Sequence, residues 1–281
     1  MGKTYNKLIY GIILSLLFCG YESLKAQVNV TYIANCGFLY QNEKVKVLID
    51  PFGTEYGNYF YLPSNEARDN ILSGNAAFKN IDLLLITHIH GDHFNAKLAE
   101  RFLLKHHNTK MICPRQVYNQ MKDSCLNFNA IASRLFSPTI NMNEICRTTL
   151  NHIPISIIRM QHGSDRNLDS ISYSQYTDYE KTENFGYVIQ LKNRRIFHQG
   201  DACLKINREA LSKISVPIDI AHLGFFDWDE ASYNILKVDL KARNVIFMHG
   251  TIPAKEFQTE QLIKIKTSLV IFKKELDSQS F

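Results

Sequence analysis

Four side chains able to bind a metal ion fall within six residues, in the segment Thr87-His88-Ile89-His90-Gly91-Asp92-His93. Imidazole nitrogen and carboxylate oxygen are donors that zinc and similar borderline ions take. Side chains two apart in an extended loop point the same way, so His88 and His90 can grip one ion. Asp92 and His93 lie past the Gly91 bend and can face a second ion on the other side. A cation held this way lowers the pKa of bound water toward ~7 and makes hydroxide available at neutral pH.

The neighbouring chain supplies elements to hold this segment. Leu83-Leu84-Leu85-Ile86, just before it, is a continuous apolar run that suits a strand buried on both faces. Asn95 to Lys105, just after it, places Leu98, Phe102 and Leu103 at helical spacing. The histidines therefore lie on the loop leaving a buried strand. Upstream, Val28 to Ile33 alternates like a strand. Gly37 to Tyr40 and Val45 to Asp50 flank the polar turn Gln41 to Lys44 as an antiparallel hairpin. A short helix is expected over Asn65 to Leu72. Residues 110–160 read as short strands and turns, including Met111 to Cys113 and Ile153 to Met160. Gly186 to Leu191, Arg195 to His198, Ile218 to Leu223 and Asn244 to His249 follow as strands, with helices expected over Leu204 to Ile214 and Ala254 to Ile265. Strand pairs first, then strands alternating with helices and no dividing linker, indicate an α/β sandwich.

The motif and its setting resemble the metallo-β-lactamase superfamily, over about residues 28–250. The resemblance implies a four-layer αββα sandwich. It also implies one more histidine, one aspartate and a last histidine, each at a strand end. This chain has them in order: His162 in Met160-Gln-His-Gly, Asp201 in His198-Gln-Gly-Asp, and His249 in Phe247-Met-His-Gly. By the resemblance, His88, His90 and His162 hold one ion, and Asp92, His93 and His249 hold the other. Asp201 bridges the two. Asp92 and Asp201 are then expected to serve the reaction as well as the ions. Asp50, which closes Val-Leu-Ile-Asp-Pro, would accept hydrogen bonds from ligand imidazoles and orient them; on its own it could equally cap the turn before Pro51.

What the resemblance implies is a pair of Zn2+ ions, with Mn2+ or Fe2+ as alternatives, activating a hydroxide that cleaves an ester, lactone, amide or phosphodiester. An aspartate at 201 is similar to the lactonase and phospholipase-like branch rather than to several drug-hydrolysing lactamases. A mononuclear-iron oxygenase like the sulfur dioxygenases, or a β-lactamase, are the other readings that the superfamily leaves open.

Other residues have two readings each. His222, at the end of Ile218-Asp-Ile-Ala-His, is either a proton donor on the rim of the site or a satisfied strand-end histidine. Phe225, Phe226 and Trp228 either wall the pocket or fill the core. Tyr173, Tyr176 and Tyr179 form a flap or a solvated loop. His198 is expected to alternate away from the site. Cys203 is a neighbour of the metals or a small buried hydrophobe.

Residues 1–26 stand apart. Lys3 and Lys7 precede the apolar run Leu8 to Phe18, and Ala26 ends a short polar stretch, which is the pattern of a secretory signal peptide. The mature hydrolase domain would then span 27–281 and be periplasmic or secreted, with no integral membrane span. A lipoprotein anchored at Cys19 is the rival. Removing the segment takes away Lys3, Lys7, Lys25 and Glu22 and lowers the formal charge of +5 by two. So small and scattered a charge gives no argument for nucleic acid or membrane binding; no nucleic acid is expected, and a small-molecule substrate is. Five of the six cysteines remain, an odd number without a CxxC pair, so no dense disulfide framework is expected; a single bridge among Cys113, Cys125 and Cys146 stays open.

Overall fold

The first three strands of the described chain pair with one another. The computed structural model describes residues 27–57, 60–163, 181–224, 227, 229–250 and 269–281. In it β1 (Asn29–Ala34), β2 (Gly37–Gln41) and β3 (Lys46–Ile49) form an antiparallel meander. A bulge between Tyr32 and Ala34 turns the first corner. Next come β4 (Leu83–Leu85), β5 (Lys110–Ile112) and β6 (Leu135–Phe136), parallel to β3. β7 (Ile145–Leu150), β8 (Ile153–Gln161), β9 (Glu183–Leu191) and β10 (Arg194–His198) are antiparallel neighbours. From β10 the second sheet runs parallel through β11 (Ile220–Leu223), β12 (Asn244–Phe247) and β13 (Leu269–Val270). β14 (Ser278–Ser280) returns to pair with β1, so each sheet has seven strands: β14-β1-β2-β3-β4-β5-β6 and β13-β12-β11-β10-β9-β8-β7.

Three apolar interfaces give the four layers expected. Phe38, Tyr40, Ile49, Ile155, Tyr187 and Ile220 fill the space between the sheets. Leu48, Leu84 and Ile86 face outward onto the helices Asn65–Ser73 and Ala96–Lys105 through Ile71, Phe102 and Leu103. Val188, Phe197 and Ala221 pack against the outer layer of the second sheet through Leu211 and Leu236. The all-buried β4 is thus covered on both faces, which is why its sequence shows no alternation.

The structure departs from the expected elements chiefly in its helices, which also include the unexpected Phe128–Ile131 and Glu230–Asn234. Residues 110–160 include the ten-residue helix Arg115–Ser124, burying Val117 and Met121; its apolar stripe is narrow among polar residues. Leu204 to Ile214 is helical only over Arg208–Ser212. No helix among the described residues is long and apolar enough to cross a membrane. The signal segment 1–26 with Cys19, the Tyr173, Tyr176 and Tyr179 loop, Phe225, Phe226, Trp228, and the helix expected over Ala254 to Ile265 lie outside the described residues.

Candidate metal centre

In both sheets the strands that run the same way end at one edge, and the histidine loop leaves β4 there. It is wound tightly: the amides of His93 and Phe94 both donate to the His90 carbonyl, at 3.0 and 2.9 Å. Asn95 then caps the following helix, its side chain accepting from the Leu98 amide at 3.1 Å. The second sheet brings His162 just past β8, Asp201 past β10 and His249 past β12. The seven expected ligands therefore meet across the seam between the sheets, four from one and three from the other.

The rings of His88, His90 and His162 stand 4.7 Å apart in each pairing, steeply inclined to one another. Their donor atoms lie within 4.8 Å of one another. Asp92 Oδ2 sits 3.4 Å from His93 Nε2 and 3.3 Å from His249 Nε2, the second grouping. Asp201 lies between the two. Its Oδ2 is 3.8 Å from His88 Nε2, 3.7 Å from His162 Nε2 and 3.2 Å from His249 Nε2, while its Oδ1 is 3.2 Å from His93 Nε2.

Behind these residues is a second ring of polar contacts. Asp50 accepts from the Thr87 amide at 2.8 Å and the Thr87 hydroxyl at 2.6 Å, and lies 2.9 Å from His93 Nδ1. That contact turns His93 Nε2 toward the carboxylates. Asn35, which sequence reasoning missed, donates to Asp92 Oδ2 at 3.1 Å, and its carbonyl accepts from the His249 amide at 3.1 Å. Asn184 accepts from the Asp201 amide at 3.0 Å. Gly200, at φ +60, has no room for a Cβ, which would run into Asn184 and Thr87. Asn35, Asp50 and His249 have φ of +48, +42 and +59. For side-chain-bearing residues such backbone costs about 1–3 kcal/mol each and gathers at functional sites.

The electrostatics divide the same way as the geometry. Burial lowers His162 to about 3 and His88 well below the imidazole range, so both rings are neutral. Burial also acts to lower His93 and His249, but the carboxylates of Asp201 and Asp92 override it; His249 rises to about 9 and His93 well above its usual value. Burial alone would raise Asp92 and Asp201, yet the facing imidazoles hold both well below the carboxylate range. The donor set fits a pair of divalent cations. Buried His88 Nε2 has no hydrogen-bond partner among the described residues, as expected of a nitrogen waiting for a metal.

Two expectations about histidines need correction or extension. His222 is not on the rim. It is fully buried on β11, its Nε2 2.7 Å from the Tyr40 hydroxyl and its ring 4.4 Å from that of Phe38, inside the core between the sheets. Strand alternation sends it inward with Ile220, and burial holds it neutral. His198, expected to point away, faces the seam: its Nε2 donates to the Cys36 carbonyl at 3.0 Å, and its Nδ1 accepts from the Gly200 amide at 3.1 Å. Cys203 is fully buried and lies outside the donor groups, as a small core side chain. Cys36, unremarked in the sequence, lies inside one of them. None of the five described cysteines is in a disulfide. Phe60 sets its ring against His249 at 4.4 Å, a wall from the loop after β3.

A family described as the beta-lactamase superfamily domain matches residues 46–256. A UPF0173 metal-dependent hydrolase of Pyrococcus furiosus is 27% identical over 255 residues, which span 88% of this chain and 96% of that protein. Among solved structures, the metallo hydrolase Igni18 of Ignicoccus hospitalis superposes with a TM-score of 0.61 at 16% identity, covering 91% of this chain and 99% of the other. An isothiocyanate hydrolase from Delia radicum gut bacteria has a similar fold, with a TM-score of 0.58 at 15% identity over 90% of this chain and 99% of its own.

Proposed function

The chain belongs to the metallo-β-lactamase superfamily and is a metal-dependent hydrolase, and on that premise we propose that it is an exported enzyme holding two zinc ions that cleaves an ester, lactone, amide or phosphodiester bond in a small molecule. The observation that carries the two-ion reading is the position of Asp201. One of its oxygens approaches His88, His162 and His249 together, while the other approaches His93. A carboxylate so placed is suited to bridge two cations about 3.5–4 Å apart.

Bound there, the ions would supply hydroxide at neutral pH and neutralise charge building on the attacked carbonyl or phosphoryl oxygen. The chain's own residues do the positioning. Asp50 fixes the His93 ring, Asn35 holds Asp92, and Asn184 with Gly200 sets the Asp201 turn. Phe60 packs its ring edge-on against His249. Imidazole-rich sites with carboxylates suit zinc, and the same donors also take Mn2+ or Fe2+. Export is supported by Lys3, Lys7 and the apolar run that follows them.

Metal analysis of protein purified without added metal, followed by a chromogenic panel of ester, lactone, phosphodiester and β-lactam substrates, tests the reading. Two zinc ions per chain are expected, with turnover that falls at least roughly a hundredfold in Asp201→Ala. A single iron without zinc, or undiminished turnover in that variant, overturns it.

A further inference from the structure

Cys36 sits in the turn between β1 and β2, and the ligand assignment above makes no use of it. Its Sγ lies 4.0 Å from Asp201 Oδ1, and it forms one group with His93, Asp201 and His249 whose donor atoms are all within 4.8 Å of one another. All four residues are buried. His93 Nε2, in the same group, faces Asp201 Oδ1 at 3.2 Å and Asp92 Oδ2 at 3.4 Å. Around a tetrahedral zinc, bonds of ~2.3 Å to sulfur and ~2.0–2.1 Å to nitrogen or oxygen put neighbouring donors roughly 3.5 Å apart. A small contraction of the observed group would meet that geometry.

The turn is also held as a positioned element rather than a filler. His198 donates to the Cys36 carbonyl while accepting from Gly200, next to Asp201. The His249 amide donates to the Asn35 carbonyl, and Asn35 takes the left-handed conformation that turns the chain inward. The turns that carry Cys36, Asp201 and His249 are thus linked, through the His198 ring on one side and the Asn35 carbonyl on the other. Cys113, Cys125 and Cys203 are buried too, yet none belongs to a donor group.

We propose that Cys36 supplies a thiolate ligand to the second metal position, beside Asp92, His93, His249 and Asp201. This rests on the two-ion reading and deepens it: the second position is the softer of the two and favours zinc over manganese. As the sulfur–metal bond forms, the S–H bond breaks and its proton leaves to solvent; nothing is oxidised or reduced.

Cobalt(II) titrated into the metal-free full chain tests this, with bound cobalt counted by dialysis and the absorption spectrum recorded at each step. A sulfur-to-cobalt charge-transfer band in the near ultraviolet should grow with one of two bound ions. It should vanish in Cys36→Ser while that variant still binds two. Two bound cobalt ions without the band, or a band that survives in Cys36→Ser, overturns the thiolate and leaves the two-ion site standing. Fewer than two cobalt ions in the wild type overturns the two-ion reading and the thiolate with it. X-ray absorption of the zinc-loaded wild type needs no variant: a sulfur neighbour at about 2.3 Å supports the assignment, and a shell of nitrogen and oxygen alone refutes it.

Discussion

Asp50 and His93 are joined side chain to side chain, Oδ2 to Nδ1 at 2.9 Å, and both are buried. The carboxylate decides which nitrogen of the ring faces the metal positions, and it also satisfies the Thr87 amide and hydroxyl. Replacing Asp50 by Ala should weaken metal binding by about 10–100-fold. It should also cost about 1–3 kcal/mol of stability by leaving the Thr87 amide buried and unpaired. Metal titration and denaturant unfolding read the two effects separately, and unchanged metal affinity would show that the ring is held by other means.

On the two-ion reading proposed above, the two positions should load with different proton costs. His88 and His162 are neutral in the metal-free protein, His162 lowered by burial to about 3. At His249, burial is outweighed by Asp201 and Asp92, and the ring rises to about 9. A cation entering there displaces that proton, so affinity should gain about tenfold per pH unit for each proton released, levelling off near pH 9. Calorimetry at pH 7 in two buffers of different ionisation heat measures the released protons. Without metal, the same raised pKa gives stability that is complete below about pH 6.5 and lost as pH rises through about 9.

Asp227 ties the loop after β10 to the segment after β11. It accepts from the Leu204 amide at 3.0 Å, Gln199 at 2.7 Å and the Ser232 hydroxyl at 2.9 Å. Burial pushes its carboxyl up from 3.8 to about 6, with the hydrogen bonds pulling the other way. A carboxyl raised on folding favours the protonated native state, so its contribution is whole below about pH 4 and disappears as pH rises through 6. Asp227→Asn should remove this slope, and the variant should gain on the wild type by on the order of 3 kcal/mol between pH 4 and pH 7. Parallel unfolding curves across that range would show that the carboxyl does not titrate on folding.

His222 pairs with Tyr40 in the core, so its loss should be felt in stability and not in turnover. His222→Leu leaves the Tyr40 hydroxyl without its partner, a cost of about 1–3 kcal/mol, while kcat at saturating metal stays within a few-fold. A hundredfold fall in kcat with full metal content would return His222 to the reaction.

Much of this centre was legible because its parts carry strong local signals. The His88 to His93 segment announces itself by density of donors, and His162, Asp201 and His249 each end an apolar run beside a glycine. The unreadable parts depend on pairing across the sheets. Nothing in Asn35-Cys36 says that β1 ends against His249, because that contact is set by how two sheets 200 residues apart in sequence are packed. His222 looked like a rim residue because it ends a strand-like run, but the strand continues to Leu223 and its alternation sends the ring inward. The helix Arg115–Ser124 was hidden by its composition, with only Val117 and Met121 buried on one narrow face.

Four of the seven candidate donors come from one sheet and three from the other, so metal bound among them would act as a fastener across the seam. Whatever binds the folded arrangement and not the open one adds its binding free energy to the protein's endurance. In a metal-poor medium the two halves would be held by side-chain packing and by the few hydrogen bonds that cross the seam, such as His249 to Asn35, Phe185 to Thr87 and Tyr40 to His222. Survival among proteases would then follow the supply of ions, and an enzyme starved of metal would be cleared as well as silent.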